Sequence, residues 1–324
     1  MCTAVTYKTK DHYFGRNFDL EYSYHETVTI TPRNYEFCFR RAEKMKKHYA
    51  MIGMAFVVDN YPLYYDATNE KGLSMAGLNF PENACYNTEV EGMDNIAVFE
   101  FIPWVLGQCA TIGEVKKLLD RLNLVNIDFS NDLPTGTLHW IISDKEASIT
   151  VESVKEGLKV YDNEIGVLTN SPTFDYQMFN LNNYMSLSVD KPENNFSKEL
   201  KLTAYSRGMG TMGLPGDLSS VSRFVKAAFT KLNSVSGDSE GESVSQFFHI
   251  LGSVEQQRGC VHMGDGKYEF TIYSSCCNVD KGIYYYVTYE NSRITKVDMY
   301  KEDLEGDGLV AYELVKGQQI LEQN

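Results

Sequence analysis

The residue best placed to do chemistry in this sequence is the second one. The chain opens MCTAVT, and methionine followed by a small side chain is the arrangement from which the methionine is trimmed. Trimming leaves Cys2 with a thiol and a free α-amine on one carbon. A thiol ionises at about 8.5 and an α-amine at about 7.7–8.0, so near neutrality the amine can take the thiol proton. A side-chain nucleophile served by its own terminal amine is a known device for acyl transfer. An ordinary residue near a frayed end fits the same position, so the partners decide.

Arg16 and Asp19 in FGRNFDL are the nearest charged candidates. A carboxylate beside the α-amine fixes its orientation, and a guanidinium favours a thiolate. Strand alternation sends positions 16 and 19 to opposite faces, so both reach Cys2 only at a bulge or a strand end. Taken alone, the two also read as a surface ion pair. Asn79 in MAGLNFP and Asn170 in GVLTNSP end apolar runs, where side-chain amides can meet an oxyanion or simply shape turns. Arg223 in SSVSRFVKAAF falls nearly opposite an apolar stripe, which makes solvent its default.

These residues need elements to hold them. TAVTYKTKDHYFGRNFDL has two apolar or aromatic runs around the polar KTKD, which predicts a β-hairpin with Cys2 starting its first strand. YAMIGMAFVV, GLSMAGLNF, TLHWIIS, SITVES, IGVLTN, FTIYSS and GIYYYVTY read as further strands. VFEFIPWVLGQCA reads as a helix that Pro103 starts or kinks, and TIGEVKKLLDRLNL as one opened by a Thr111–Glu114 capping box. SSVSRFVKAAFTKL aligns Val221, Phe224, Val225, Ala228, Phe229 and Leu232 on one face, and SVSQFFHILGSV is a further helix. ENNFSKE and NSVSGDSEGES read as exposed loops. Strands cluster toward both ends of the chain with helices between, which predicts layered α+β structure with largely antiparallel sheets. There is no internal repeat or long linker, so one domain over residues 1–324 is expected.

Composition narrows the function classes. A net charge of −14 argues against a phosphate-tracking surface, and nucleic acid is not an expected partner. No signal-like start precedes Cys2 and no run approaches the ~20 apolar residues of a membrane span, so a soluble, cytoplasmic protein is expected. The seven cysteines and six histidines include no CxxC or HExxH spacing, and neither a metal site nor a cofactor is expected. The adjacent Cys276 and Cys277 read as buried structural thiols.

MCTAVT, FGRNFDLEYSY, YPLYYDATNEKGLSMAGLNFP, FEFIPWVLGQC, GVLTNSPTFDYQ, GLPGDLSSVSRF and KGIYYYVTYEN, in this order over nearly the whole chain, resemble the bile salt hydrolases of the choloylglycine hydrolase family, which belong to the N-terminal nucleophile hydrolases. The resemblance implies a four-layer αββα sandwich of two largely antiparallel sheets flanked by helices, and a homotetramer. It implies Cys2 as nucleophile with its own amine as base, Arg16 and Asp19 as its charged neighbours, Asn79 and Asn170 at an oxyanion hole, and Arg223 completing the polar network. The implied reaction cleaves the amide joining a bile acid to glycine or taurine, through a thioester.

A steroid acyl group calls for an apolar pocket with few polar anchors. Phe18, Tyr22 and Tyr24 beside the hairpin, Tyr61 and Leu63 in NYPLYY, and Ile127, Phe129 and Leu133 in VNIDFSNDLP are the candidates to line it, with about half of them expected to touch a small-molecule substrate. Penicillin V acylases of the same family share the nucleophile but commonly carry Tyr where this chain has Asn79. Glutamine amidotransferases with an N-terminal cysteine typically begin MCGI. A non-catalytic bile-acid or lipid-binding protein on this scaffold is the remaining alternative. One departure from the family pattern is Thr211 in GMGTMGLPGD, where Gly is frequent; it is expected to alter the loop before Arg223 without removing a catalytic group.

Overall fold

The first two strands, β1 (Cys2–Lys8) and β2 (His12–Leu20), form the expected hairpin, with Cys2 opposite Phe18 and Ala4 opposite Arg16. The computed structural model describes all 324 residues. The chain continues through β3 (Thr27–Thr31), β4 (Met51–Val58), β5 (Tyr61–Asn69), β6 (Ser74–Asn79) and β7 (Asp94–Ala97), then α1 (Phe101–Gln108), α2 (Ile112–Leu119) and β8 (Leu122–Val125). Next come β9 (Leu138–Ser143), β10 (Ser148–Val154), β11 (Gly157–Asp162), β12 (Val167–Leu168), α3 (Phe174–Asn180), α4 (Ser220–Asn233) and α5 (Glu240–Gly252). The last strands are β13 (Val261–Gly264), β14 (Lys267–Asn278), β15 (Ile283–Thr288), β16 (Asn291–Asp298) and β17 (Val310–Glu313).

Two large antiparallel sheets result, with β7 and β8 forming a separate parallel pair. The first has the order β12-β1-β2-β14-β15-β16, with β13 added on β14, and the second the order β11-β10-β9-β6-β5-β4-β3-β17. One apolar core joins α4 and α5 to the first sheet and fills the space between the sheets, where Val28, Ile52, Met54, Leu78 and Ile141 of the second sheet meet it. The other core joins the far face of the second sheet to α1 and α2 through Met75, Trp140, Phe101 and Val105. The layers are therefore helix, sheet, sheet, helix, as the fold class required. Burying each such large apolar side chain contributes about 1.5–3 kcal/mol.

The two strand clusters of the sequence do not map onto the two sheets. The N-terminal hairpin is inserted beside the C-terminal β14, pairing Asn17 with Ser274 and Phe14 with Cys277. Gly15 makes that approach possible, since a Cβ there would lie 2.0 Å from the Ser275 carbonyl oxygen. Cys276 and Cys277 are buried in β14, and burial pushes the Cys277 thiol up to about 12.

Three local expectations change. The Thr111–Glu114 capping box is half formed: the Thr111 hydroxyl accepts from Glu114 N, but the Glu114 carboxylate takes Ala110 N instead. Part of the expected loop NSVSGDSEGES is the first turn of α5, capped by Ser239 with Glu242 returning to it. On α4, Phe224, Val225 and Ala228 are buried and Val221 and Phe229 half-buried, whereas Leu232 in the last turn is exposed.

Candidate active site

The site forms where β1 begins. Cys2 is buried, and its backbone nitrogen donates to Asn170 Oδ1 at 2.8 Å. Asn170 follows the short strand β12, which pairs with β1 through Ala4 and Leu168. Its own backbone nitrogen donates to Ser220 Oγ at 2.8 Å, in the first turn of α4. One turn along the same helix, Arg223 reaches back, its Nη2 donating to Asn170 Oδ1 at 2.7 Å and its Nη1 to the Cys2 carbonyl and Thr3 Oγ1, both at 2.6 Å. Sequence periodicity sends Arg223 to solvent; it is 1% exposed. The helix face away from its apolar stripe is covered by the ends of β1 and β2, so the guanidinium is enclosed by carbonyls and Asp19.

Arg16 and Asp19 do lie on opposite faces of β2. Arg16 points between the sheets and donates through Nη1 to the carbonyls of Tyr65 (3.0 Å) and Gly77 (2.6 Å). Asp19 points toward the helices, accepting from Thr271 Oγ1 at 2.7 Å and Gln256 Nε2 at 3.3 Å, with Arg223 Nη1 at 4.0 Å. The strand end reconciles them. At its first residue β1 is flanked by Arg16 from the inter-sheet side and by Arg223 with Asp19 from the helix side. Met1 stands in the same place: its ammonium contacts the Glu269 carboxylate and donates to the Asp19 carbonyl at 2.9 Å.

Electrostatics follow from burial. Desolvation pushes the Asp19 carboxyl up against the pull of Arg223 and the chain terminus. Desolvation likewise lowers Arg223 despite Asp19. For Arg16, burial opposes the charge, but the surrounding anionic groups, Cys2 first and then Tyr273, Asp66 and Asp19, outweigh it and raise the guanidinium.

Asn79 ends β6 with its side chain exposed to the cleft. Its backbone carbonyl accepts from Asn170 Nδ2 at 2.6 Å, and its Oδ1 accepts from Thr137 Oγ1 at 3.1 Å. The two asparagines are thereby tied together on the side of Cys2 away from Arg16. Thr211 closes a short turn before α4, its hydroxyl donating to Gly208 O at 2.7 Å, so a side chain is accommodated there without strain.

A cavity of about 350 Å³ opens over Cys2, Arg16 and Asn79. Of the sequence candidates, Phe18, Tyr24, Leu63, Phe129 and Leu133 line it. Tyr22, Tyr61 and Ile127 do not. Tyr22 lies outside, its hydroxyl on that of Tyr24 at 2.8 Å. Tyr61 stands behind the wall, edge-on to Phe99 at 5.7 Å. Ile127 sits before the loop turns toward the cavity at Phe129. Sequence reasoning missed Leu20, Phe56, Tyr65 and Phe99, which also line it, and the supports Thr3, Ser220, Gln256 and Thr271. Alternation places Phe56 and Phe99 on no recognisable face, and the small hydroxyl residues carry no signal until their partners are known.

The arrangement can hold a thiol and an amine of one residue at the wall of an apolar cavity, with amide donors beside them. A family model for linear amide C–N hydrolases, the choloylglycine hydrolase family, matches residues 2–312. The bile salt hydrolase/transferase of Lactiplantibacillus plantarum is 60% identical over 314 residues, 97% of each chain. That of Clostridium perfringens is 44% identical over 322 residues, 98% of each chain. The crystal structure of the C2A mutant of the conjugated bile acid hydrolase from Clostridium perfringens superimposes with a TM-score of 0.92 at 42% identity, covering 100% of both chains.

Proposed function

Because the chain belongs to the choloylglycine hydrolase family of linear amide C–N hydrolases, we propose that Cys2, with Met1 removed, cleaves the amide of glycine- or taurine-conjugated bile salts through a thioester. The observation that carries this reading is Cys2 at the wall of the apolar cavity, with its nitrogen held by Asn170 Oδ1 at 2.8 Å. Once Met1 is gone that nitrogen is the α-amine. It takes the thiol proton as sulfur adds to the substrate carbonyl, and returns a proton to the departing amine of glycine or taurine. Water activated by the same amine then splits the thioester, releasing the bile acid and restoring the thiol.

The neighbouring groups take distinct roles in this reading. Asn170 orients the amine through Oδ1, and one hydrogen of its Nδ2 remains for the oxyanion after the bond to Asn79 O. With Oδ1 of Asn79 taken by Thr137, its Nδ2 is the second donor to the oxyanion. Arg16 favours the thiolate from between the sheets, and Asp19 with Arg223 fixes the strand end. Phe18, Tyr24, Leu63, Phe129 and Leu133 contact the steroid.

Three further readings rest on separate observations. The pairing of β2 with β14, from Leu20–Phe270 to Tyr13–Asn278 with one bulge between Thr271 and Tyr273, supports one domain over residues 1–324. No helix is long and apolar enough to cross a membrane; the cytoplasmic assignment is supported by seven free thiols, which suit a reducing compartment. The homotetramer is supported by exposed Phe179, Met185, Phe196, Tyr205 and Met212 in and after α3, an apolar run of the kind that copies of a chain cover.

Amine release from glycocholate, taurocholate and penicillin V by the purified protein, its N-terminal cysteine verified by mass, tests the reading. Cleavage of either bile salt supports it. Cleavage of penicillin V alone transfers the site to an acylase, and cleavage of none leaves the binding-protein alternative.

A further inference from the structure

Between the two sheets, behind the wall of the cavity, the carboxylate of Asp66 is 2% exposed. Tyr284 donates its hydroxyl to Oδ1 at 2.7 Å, Tyr273 to Oδ2 at 3.0 Å, and Ser275 Oγ approaches Oδ1 at 3.5 Å. A carboxylate in so dry a place is costly unless it is hydrogen-bonded and matched by a nearby charge. Its inward direction is built into the chain. The register of β5 on β4 runs from Met54–Asp66 to Ala55–Tyr64, leaving Tyr65 unpaired as a bulge, so the successive residues Tyr65 and Asp66 both face the first sheet. Gly53 admits the bulged strand, since a Cβ there would lie 2.0 Å from Asp66 O.

That bulge is also what meets Arg16. The guanidinium is 0% exposed and donates to three carbonyls, those of Asn17, Tyr65 and Gly77. Its Nη2 has no partner, and Arg16 lines the cavity beside Cys2. Carbonyl dipoles alone leave a buried cation without a counter-charge. Tyr273, Ser275 and Cys277 from β14 and Tyr284 from β15 face Asp66, and Arg16 from β2 acts on it by charge from beyond ion-pair distance, its guanidinium bound instead to the carbonyl of the preceding residue, Tyr65, at 3.0 Å. Glu26, before β3, acts on Tyr65 and Tyr273 from farther off. Asp19 lies across β2 on its helix face, so Asp66 is the carboxylate on the same side of the sheet as the guanidinium. Burial pushes the Asp66 carboxyl up, with Arg16 and then the three hydroxyls pulling it back.

We propose that Asp66 is a positioning residue for the nucleophile: its anchored carboxylate is the counter-charge that holds Arg16 in place and limits how far the guanidinium draws Cys2 toward the thiolate. The inference rests on Cys2 being the nucleophile, as proposed above. It assigns a purpose to the β5 bulge, to Gly53 and to two buried tyrosine hydroxyls that otherwise surround an unexplained charge.

Asp66→Asn keeps the size and one acceptor oxygen and removes the charge. The test follows alkylation of Cys2 by iodoacetamide across pH, read by the mass of the Cys2 peptide in the trimmed protein. The pH of half-maximal alkylation is expected to fall by roughly one unit, because the guanidinium then acts on sulfur unopposed. The acid limb of glycocholate turnover is expected to move with it. Tyr273→Phe/Tyr284→Phe strips the anchoring hydroxyls and lets the carboxylate take a proton more easily; a smaller shift in the same direction is expected, and this variant carries the test where Asp66→Asn does not fold. An unchanged or raised midpoint in either folded variant overturns the proposal, which a merely structural role would produce. Cys2 left unlabelled in the wild type overturns both the nucleophile and this inference. A wild type that labels and shifts as expected but cleaves no bile salt overturns the substrate assignment alone.

Discussion

The backbone nitrogen of Cys2 donates to Asn170 Oδ1 at 2.8 Å, and the same oxygen accepts from Arg223 at 2.7 Å. One amide oxygen therefore fixes both the nitrogen proposed to become the terminal amine and the cation that grips the Cys2 carbonyl. Asn170→Ala removes this anchor and leaves a buried guanidinium donor unpaired. Turnover is expected to fall on the order of 100-fold or more, and stability by about 1–3 kcal/mol. Steady-state kinetics and urea unfolding read the two effects; a kcat within a few-fold of wild type shows the anchor to be dispensable.

Arg223 and Asp19 form a buried pair at 4.0 Å. Removing one partner strands the other charge out of water. Arg223→Met is expected to cost about 3–5 kcal/mol, and Asp19→Leu added to it to recover part of that loss while turnover stays abolished. A double-mutant cycle in urea measures the coupling, and full additivity of the two losses contradicts a paired role.

How much of this was legible in the sequence depends on the range of the forces involved. The hairpin carrying Cys2 is local: polar KTKD between two apolar runs is sufficient to write it down. The helix of Arg223 was legible too, by its apolar stripe, but the guanidinium's direction was not, because the strand ends that cover it come from residues more than 200 positions away. Alternation sets positions 16 and 19 on opposite faces of β2, and only the meeting at the strand end brings both beside Cys2. The bulge at Tyr65 breaks alternation outright, and the sequence reading places no strand over Tyr61–Asn69, so nothing marks Asp66 as a buried charge. Family resemblance supplied the remaining site residues by position. It supplied no contact for Thr3, Ser220 or Gln256, which act only through partners far along the chain.

The cavity lining separates neighbours that sequence reasoning grouped together. Leu133 lines the cavity and Ile127 does not. Leu133→Ala is expected to raise the KM for glycocholate roughly 5- to 10-fold, on the order of 1 kcal/mol of lost apolar contact. Ile127→Ala is expected to change it less than 2-fold, roughly. Equal effects from the two substitutions contradict the assignment of the wall.

Acid sensitivity has a definite source away from the site. Burial pulls His12 from 6.5 down to about 4, against the attraction of Asp280. Between those values the unfolded chain holds a proton on His12 that the folded chain does not, so unfolding stability from this group is present above pH 6.5 and is lost as pH falls toward 4. The loss amounts to about 3 kcal/mol. In His12→Gln the slope of unfolding free energy over this window is expected to flatten by that amount. Urea titrations at several pH values check it, and an unchanged slope contradicts a neutral buried imidazole.

The central claim is covalent chemistry at Cys2, and the most direct measurement is the mass of the acyl-enzyme. Trimmed protein mixed with glycocholate and quenched in acid within the first turnovers is digested and read by mass. The account predicts a cholyl group on the N-terminal peptide, attached at Cys2, labile to hydroxylamine as a thioester is, and absent when glycocholate is omitted. Steady release of glycine with no adduct on that peptide, or with the acyl group on another residue, contradicts it.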